Sequence, residues 1–237
     1  MNNFEIKNND CHAALAMTKS VQSGRSMIEM LGVLAIIGVL SVGGIAGYSK
    51  AMTKYRINKT IEQITLIAGN VRAFWGPQKN YEGVRCDCTS AGCGGQSNGD
   101  GCPIVKKAKI FPDEMITINA AGKITSITNP FGGGVALLTA DKAKSGDNKA
   151  FRIHYDIGDN MEACIEIVTH DWTNAGVKAI YTMGNVGGNM YLKTPVDIAI
   201  APDFCGRVFK NIGYAPMVFV SDIDLSSDVW KNTSWKN

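Results

Sequence analysis

The sequence has few histidines, the side chain that most often acts as a general acid or base, and its charges nearly balance. Its 237 residues include only 3 histidines and 7 prolines, and the net charge is +3. So small a net charge does not indicate nucleic acid or an acidic partner. The combination of 26 glycines with 7 prolines excludes collagen-like and proline-rich chains, and 45% hydrophobic residues exclude general disorder. The length fits one or two domains.

Motifs typical of enzymes are also missing. The chain has no Gly-x-Ser-x-Gly elbow and no phosphate-binding loop with Gly-Lys-Ser/Thr. His154 and His170 fall in different predicted elements and form no helical metal pair, so we expect surface or hydrogen-bonded structural roles for both. Asp222, Asp224 and Asp228 are candidates for a cation site, although a solvated acidic edge is the preferred interpretation. We therefore expect no enzymatic activity, no cofactor and no metal.

A single long apolar run dominates the hydropathy pattern. Met30 to Ser49 contains no charged residue and is long enough to span a bilayer core of about 30 Å as a helix. It is longer than the apolar part of a secretory signal peptide, and Lys50 and Lys54 follow it in place of a cleavage site. The run predicts one membrane-spanning segment.

The charges that flank this run conflict with the positive-inside rule. More cations follow the run than precede it: Lys50, Lys54, Arg56 and Lys59 against Lys7, Lys19 and Arg25. Counting alone would leave the large C-terminal part in the cytoplasm. The motif at the start of the run and the cysteines indicate the opposite orientation, which we adopt.

A short motif precedes the apolar run. In Gly24-Arg25-Ser26-Met27-Ile28-Glu29, a carboxylate follows a glycine at the fifth position, directly before the uncharged stretch. This resembles the processing site of type IV prepilins, in which a dedicated peptidase cuts after the glycine. The resemblance implies cleavage between Gly24 and Arg25. It also implies that Glu29 pairs with the new N-terminus of a neighbouring subunit, which would check the register because an unpartnered buried charge is strongly unfavourable.

Two features of this motif leave questions open. Glu29 alone would also suit a plain helix start, where the helix dipole favours an anion. Arg25 stands where the family usually has an apolar first residue, which leaves its N-methylation open.

Helical spacing continues beyond the apolar run. Ile57, Ile61, Ile64, Ala68, Val71 and Trp75 form one apolar stripe. Gly76-Pro77 then supplies a stop signal. The pattern predicts a helix from about Ser26 to Trp75, roughly 75 Å long at 1.5 Å per residue.

Seven cysteines become six if the leader, with Cys11, is removed. An even number in a translocated domain predicts disulfides. Four of them are clustered: Cys86, Cys88, Cys93 and Cys102. Their spacing lacks the C-x2-C pairs of zinc sites, so two local disulfides in a loop are preferred over zinc. A bond between Cys86 and Cys88 would be strained, and the pairing within the cluster is left open.

Three further segments resemble type IVb major pilins of the conjugative thin-pilus kind. They are ITNPFGGGVALL, FRIHYDIGDNMEACIEI and the segment around DFC, within roughly residues 110–220. The resemblance implies a Cys164–Cys205 bridge that closes the D-region of that family. A loop of that length would stabilise the fold by about 3–4 kcal/mol in the chain-entropy model.

The remainder of the chain alternates short β-rich runs with two helical patches. The predicted strands are Ile116–Ile118, Ile124–Ile127, Val135–Leu138, Phe151–Tyr155, Ala179–Met183 and Val218–Val220. The predicted fold is α+β, with an antiparallel sheet packed on the second half of a long N-terminal helix. The expected parts are a cleaved cytoplasmic leader (1–24), the pilin helix (25–75) and a disulfide-bonded head (76–237).

These features predict a structural subunit of a IVb-like type IV pilus that polymerises through its N-terminal helix. Its expected partners are other copies of the chain, prepilin peptidase, the assembly machinery, the inner membrane before assembly and a host-cell or recipient-cell receptor. The precursor is expected in the inner membrane and the pilus at the cell surface. The alternatives are a minor pilin, a type II secretion pseudopilin, or a membrane-anchored periplasmic binding protein or enzyme.

Overall fold

The computed structural model describes residues 27–78, 80–89, 92–93, 102, 106–139, 149–182, 190–210, 217–222 and 235–236. The chain divides into two compact units, Met1–Gly47 and Tyr48–Asn237, and the first is described from Met27 onwards. The predicted processing site, Gly24 and Arg25, lies outside the described residues, as do Cys11, Asp224 and Asp228.

The predicted long helix is present as α1, Met27–Trp75. A turn of 3-10 helix at Gly76–Gln78 follows it, consistent with a proline that cannot continue the ladder of helical hydrogen bonds. In the second unit, one face of α1 is buried: Ile57, Thr60, Gln63, Ile64, Ile67, Ala68, Val71 and Trp75. This is the predicted apolar stripe with Ile67 and two polar residues, Thr60 and Gln63, added, while Ile61 is only partly buried against the core.

Strands and two shorter helices follow α1 in the described ranges. The strands are β1 (Cys86–Thr89), β2 (Gly92–Cys93), β3 (Ile116–Ile118), β4 (Ile124–Ile127), β5 (Val135–Thr139), β6 (Phe151–Tyr155), β7 (Val177–Thr182), β8 (Tyr191–Lys193), β9 (Met217–Ser221) and β10 (Trp235–Lys236). The helices are α2 (Met161–Thr169) and α3 (Ala201–Lys210), and a 3-10 turn at Asp113–Met115 precedes β3.

Eight of these strands form one sheet in the order β10-β8-β7-β9-β6-β5-β1-β2, and β3 pairs with β4 separately. The α+β prediction with an antiparallel sheet is confirmed, although the edge pair β10–β8 is parallel. The prediction that the cysteine-rich segment is only a loop is wrong, because β1 and β2 lie in it. Cys86 is buried and pairs with Leu137 of β5, and this tertiary pairing outweighs the loop-forming composition.

One face of the sheet contributes to the core that also buries α1. Phe151, Ile153 and Tyr155 alternate along β6 and point to this side, and the Tyr155 hydroxyl donates a 2.7 Å hydrogen bond to Gln63 Oε1 of α1. Trp172, which follows α2, packs its ring 5.1 Å from that of Phe219 in β9. The core therefore joins α1, the sheet and the α2 segment.

The opposite face of the sheet is also buried at its centre. His154 in β6 is only 3% exposed, and its antiparallel neighbours Ala136 in β5 and Val218 in β9 are fully buried. The sheet is thus covered on both sides here, a pattern that antiparallel sheets with one solvated face do not show.

Candidate functional site

The apolar half of α1, Met27–Gly47, is exposed at every residue. Val39 is 74% exposed and Val42 is 72% exposed. Among the described residues, the helix that is long and apolar enough to cross a membrane is α1 together with the 3-10 turn that follows it. A continuous apolar surface of this size marks a contact with lipid or with another protein.

Glu29 is the acidic residue in the first turn of α1, and it is exposed. A carboxylate in this position interacts favourably with the helix dipole, by about 0.3–1 kcal/mol. The next acidic residue of the helix is Glu62, so Glu29 is the single charge in the apolar half. This places one ionisable group at the start of an otherwise uncharged surface.

Two lysines of α1 form ion pairs with carboxylates, one of them in α1 itself and two in other parts of the second unit. Lys54 pairs with Glu166 of α2, and Lys59 Nζ lies 3.0 Å from Glu114 Oε1 and 3.2 Å from Glu62 Oε2. The hydrogen bond from Lys59 lowers the pKa of Glu114. Exposed pairs of this kind contribute little to stability.

Near its C-terminal end, α1 is tied to β9 through Arg72. Its Nε donates to Asp222 Oδ1 at 3.1 Å, and its Nη2 donates to the Ala175 carbonyl. The Tyr81 hydroxyl donates to the same carboxylate, and burial, followed by this hydrogen bond, raises the pKa of Tyr81. The interpretation of Asp222 as part of a solvated acidic edge is wrong, because the carboxylate is partly buried against Arg72.

Four of the predicted disulfide cysteines are bonded in the described residues. Cys164 in α2 bonds to Cys205 in α3, with a Cα–Cα distance of 5.9 Å, and Cys86 bonds to Cys102, with a Cα–Cα distance of 4.9 Å. The second bond removes two of the four thiolates on which the zinc alternative depends.

The remaining two cysteines of the cluster lie on neighbouring strands. Cys88 of β1 and Cys93 of β2 lie directly opposite each other in the strand register. In the described part of the chain, no group of three or more His, Cys, Asp or Glu side chains is arranged to hold a metal ion.

Of the two roles expected for His154, the surface role is wrong. The ring is buried and its Nε2 has no hydrogen-bond partner within the described ranges. Burial, together with the nearby Arg152 charge, lowers the pKa of His154 to about 3. His170, by contrast, is partly exposed and packs edge-on against Trp172 with ring centroids 4.9 Å apart.

The Asn-Pro-Phe-Gly-Gly motif forms the turn between β4 and β5. Asn129 Oδ1 accepts hydrogen bonds from the backbone N–H groups of Phe131 (2.9 Å) and Gly133 (3.1 Å), and its Nδ2 donates to the Asp156 carbonyl. A Cβ on Gly133 would lie 1.9 Å from that same carbonyl oxygen. The asparagine and the glycine are therefore both required for the turn to pack against the end of β6.

A second exposed apolar surface was not predicted from the sequence. A groove of about 600 Å³ is lined by Met161, Ile165 and Thr169 of α2, by Ile198, and by two carboxylates, Glu162 and Glu166. Ile198 is 70% exposed. Ile198 lies outside α2 and joins the groove only through the tertiary fold.

Comparison with known proteins identifies the family. A family model described as PilS N terminal matches residues 54–212, which is more than half of the chain. A crystal structure of type IV b pilin from Salmonella typhi is similar at 20% sequence identity and a TM-score of 0.42, covering 67% of this chain and 95% of that one. A structural similarity this low adds no evidence to that of the family model. The search of curated proteins found no match. The chain therefore belongs to the PilS N-terminal family of type IVb pilins and is a structural subunit of a type IV pilus.

Proposed function

We propose that this pilin is made as a precursor that is cleaved after Gly24, held in the inner membrane through Met30–Ser49, and polymerised with other copies through the helix that starts at Arg25. One observation carries the proposal. The apolar half of α1 is exposed along its whole described length, whereas the unit that follows it in the chain has a buried hydrophobic core. Such a surface needs lipid around it before assembly and neighbouring helices around it in the fibre.

The second unit supports a structural role more than a catalytic one. In the described ranges several polar groups of this unit link parts of the fold: Tyr155 bonds to Gln63, and Arg72 bonds to Asp222. We infer that the chain acts without catalysis and without a cofactor. Its partners are then other copies of itself, prepilin peptidase, the assembly machinery and a receptor on a host or recipient cell. The head would be displayed at the cell surface.

Processing is tested by the Gly24→Ala variant. We expect only unprocessed precursor on an immunoblot of cells, because the peptidase needs a glycine before the cut. Gly44→Ala is the matched control, since a Cβ there meets no atom within 4 Å and the variant should be processed normally. N-terminal sequencing of sheared fibres should begin at Arg25. Mature subunit of normal size from Gly24→Ala would refute the cleavage site.

Assembly is tested separately at Glu29. Glu29→Gln keeps the size of the side chain but removes the charge that would pair with the N-terminus of a neighbouring subunit. We expect normal cleavage and membrane retention but loss of fibres in electron micrographs of sheared material. Full fibre yield from this variant would show that the carboxylate only marks the helix start.

The alternative within the superfamily is a minor pilin or a secretion pseudopilin. The disulfide between α2 and α3 supports a pilin over a pseudopilin, since it closes the region that the type IVb resemblance assigns to a pilin head. The abundance of the chain in purified fibres distinguishes the remaining possibilities. A principal component is expected, and a trace component would make it a minor pilin.

A further inference from the structure

Four exposed residues of α1 lie at the end of the apolar run or within seven positions after it. They are Tyr48, Lys50, Tyr55 and Arg56, and together they are here called the collar. Tyr48 is 68% exposed and Tyr55 is 60% exposed. The two tyrosines are seven positions apart, so they lie on the same side of the helix. The buried face of α1 begins only at Ile57, so the collar precedes the contact of the helix with the core.

The collar differs from the neighbouring cations in its partners. Lys54 is paired with Glu166. Lys59 is paired with Glu62 and Glu114. Lys50 and Arg56 are exposed and have no ion-pair partner in the part of the chain that the structure describes. Of the four cations that conflict with the positive-inside rule, Lys54 and Lys59 are thus paired with carboxylates of the second unit. Lys50 and Arg56 can bind a partner outside the chain.

The position of the collar matches the edge of a bilayer. The uncharged residues Met30–Ser49, as helix, span about 30 Å at 1.5 Å per residue, which is the thickness of the hydrocarbon core. Lys50 then falls at the headgroup layer, and Arg56 lies about 9 Å further along the helix, within reach of that layer through its long side chain.

The side chains of the collar suit this layer chemically. Tyrosine rings concentrate at membrane–water interfaces, where the ring contacts acyl chains and the hydroxyl remains hydrated. The Lys50 ammonium and the Arg56 guanidinium are donors that bind phosphate oxygens, and the guanidinium can do so with two parallel hydrogen bonds. Each such cation raises the affinity for anionic lipid about fivefold relative to neutral lipid.

We propose that the collar binds anionic phospholipid headgroups on the non-cytoplasmic side of the membrane and so sets the depth at which the unassembled subunit waits. This inference rests on the proposed membrane insertion of α1. It explains why Lys50 and Arg56 follow the apolar run although the positive-inside rule disfavours cations on that side. Extraction of the subunit into a fibre would then have to break these headgroup contacts.

The test uses the full chain in phosphatidylcholine bilayers with trace spin-labelled lipid. The motionally restricted fraction of spin-labelled phosphatidylglycerol, relative to that of spin-labelled phosphatidylcholine, reports headgroup preference at the protein boundary. We expect a preference for phosphatidylglycerol that falls about fivefold for each cation removed in Lys50→Gln and Arg56→Gln, and that falls at high salt. Lys107→Gln with Lys178→Gln, two exposed lysines of the second unit, is the matched control and should keep the preference.

The outcomes separate this inference from the proposed function. Restricted lipid without headgroup preference means that the helix is inserted but that the collar proposal is wrong. An absence of restricted lipid means that membrane insertion itself is wrong. If Lys50→Gln with Arg56→Gln weakens cross-linking between subunits but leaves the lipid preference unchanged, the collar binds a second copy of the chain and the proposal is overturned.

Discussion

Removing the bond between α2 and α3 should cost the fold a large part of its stability. In Cys164→Ala with Cys205→Ala, a cross-link over a sequence separation of 41 is lost. The chain-entropy model assigns about 4 kcal/mol to a loop of that size, because the cross-link restricts the unfolded chain. Both cysteines are fully buried, so the smaller alanines also lose packing contacts. A loss of at least about 4 kcal/mol is expected, a large part of the 5–15 kcal/mol that typically stabilises a protein.

Urea unfolding of the full chain in detergent micelles measures this loss. Trp172 is 1% exposed and packs against Phe219, so its fluorescence reports the core beside α2. With a urea dependence of about 1–3 kcal/mol per M, the unfolding midpoint should fall by roughly 1–4 M. The variant Cys86→Ala with Cys102→Ala is the comparison, since its shorter separation of 16 corresponds to about 3 kcal/mol.

Reduction of the wild-type protein provides an independent check. Wild type in excess dithiothreitol should unfold near the midpoint of a variant that lacks both bonds. A loss under about 1 kcal/mol in Cys164→Ala with Cys205→Ala would refute the reasoning, because it would mean that α2 and α3 stay associated in the unfolded chain without the cross-link.

Three further predictions concern single residues. His154 binds its proton only near pH 3, whereas the unfolded chain binds it below pH 6.5, so stability should fall by about 1.4 kcal/mol per pH unit between these values on acidification. His154→Gln should remove that slope in pH-dependent urea titrations. Gly133→Ala should lower the thermal midpoint because its Cβ meets a backbone carbonyl, whereas Gly69→Ala in α1 meets no atom and should not. Arg72→Met should cost about 1–3 kcal/mol in urea unfolding by leaving Asp222 without its cation, and Arg72→Lys should restore only part of it.

Those parts of the fold that depend on local pattern were predictable from the sequence. The helix ends at Trp75, as Gly76-Pro77 indicates, and β6 has the predicted bounds of Phe151–Tyr155. Strands β1, β2, β8 and β10 were missed because each is short and depends on a neighbouring strand, distant in sequence or within a loop-like segment, for its pairing. The composition around Cys86 indicates a loop, and only its contact with β5 makes it a strand.

The functional features divide in the same way. The exposed apolar helix with Glu29 is local in sequence and was predicted. The contact between Arg72 and Asp222 joins residues separated by 150 positions, and nothing in either neighbourhood signals it. The burial of His154 without a hydrogen bond to Nε2 was not predicted, because strand alternation indicates which residues share a face but not whether both faces are covered. Burial of the second face belongs to the tertiary fold.

The place of β9 in the sheet has a consequence for biogenesis. Met217–Ser221 is late in the chain, yet it lies in the middle of the sheet between β6 and β7. Until that segment is in place, β6 and β7 have no partner at these edges, and open edges are sites of aggregation. Closure of the sheet therefore waits for the chain through residue 221, and the incomplete sheet is exposed to aggregation until then.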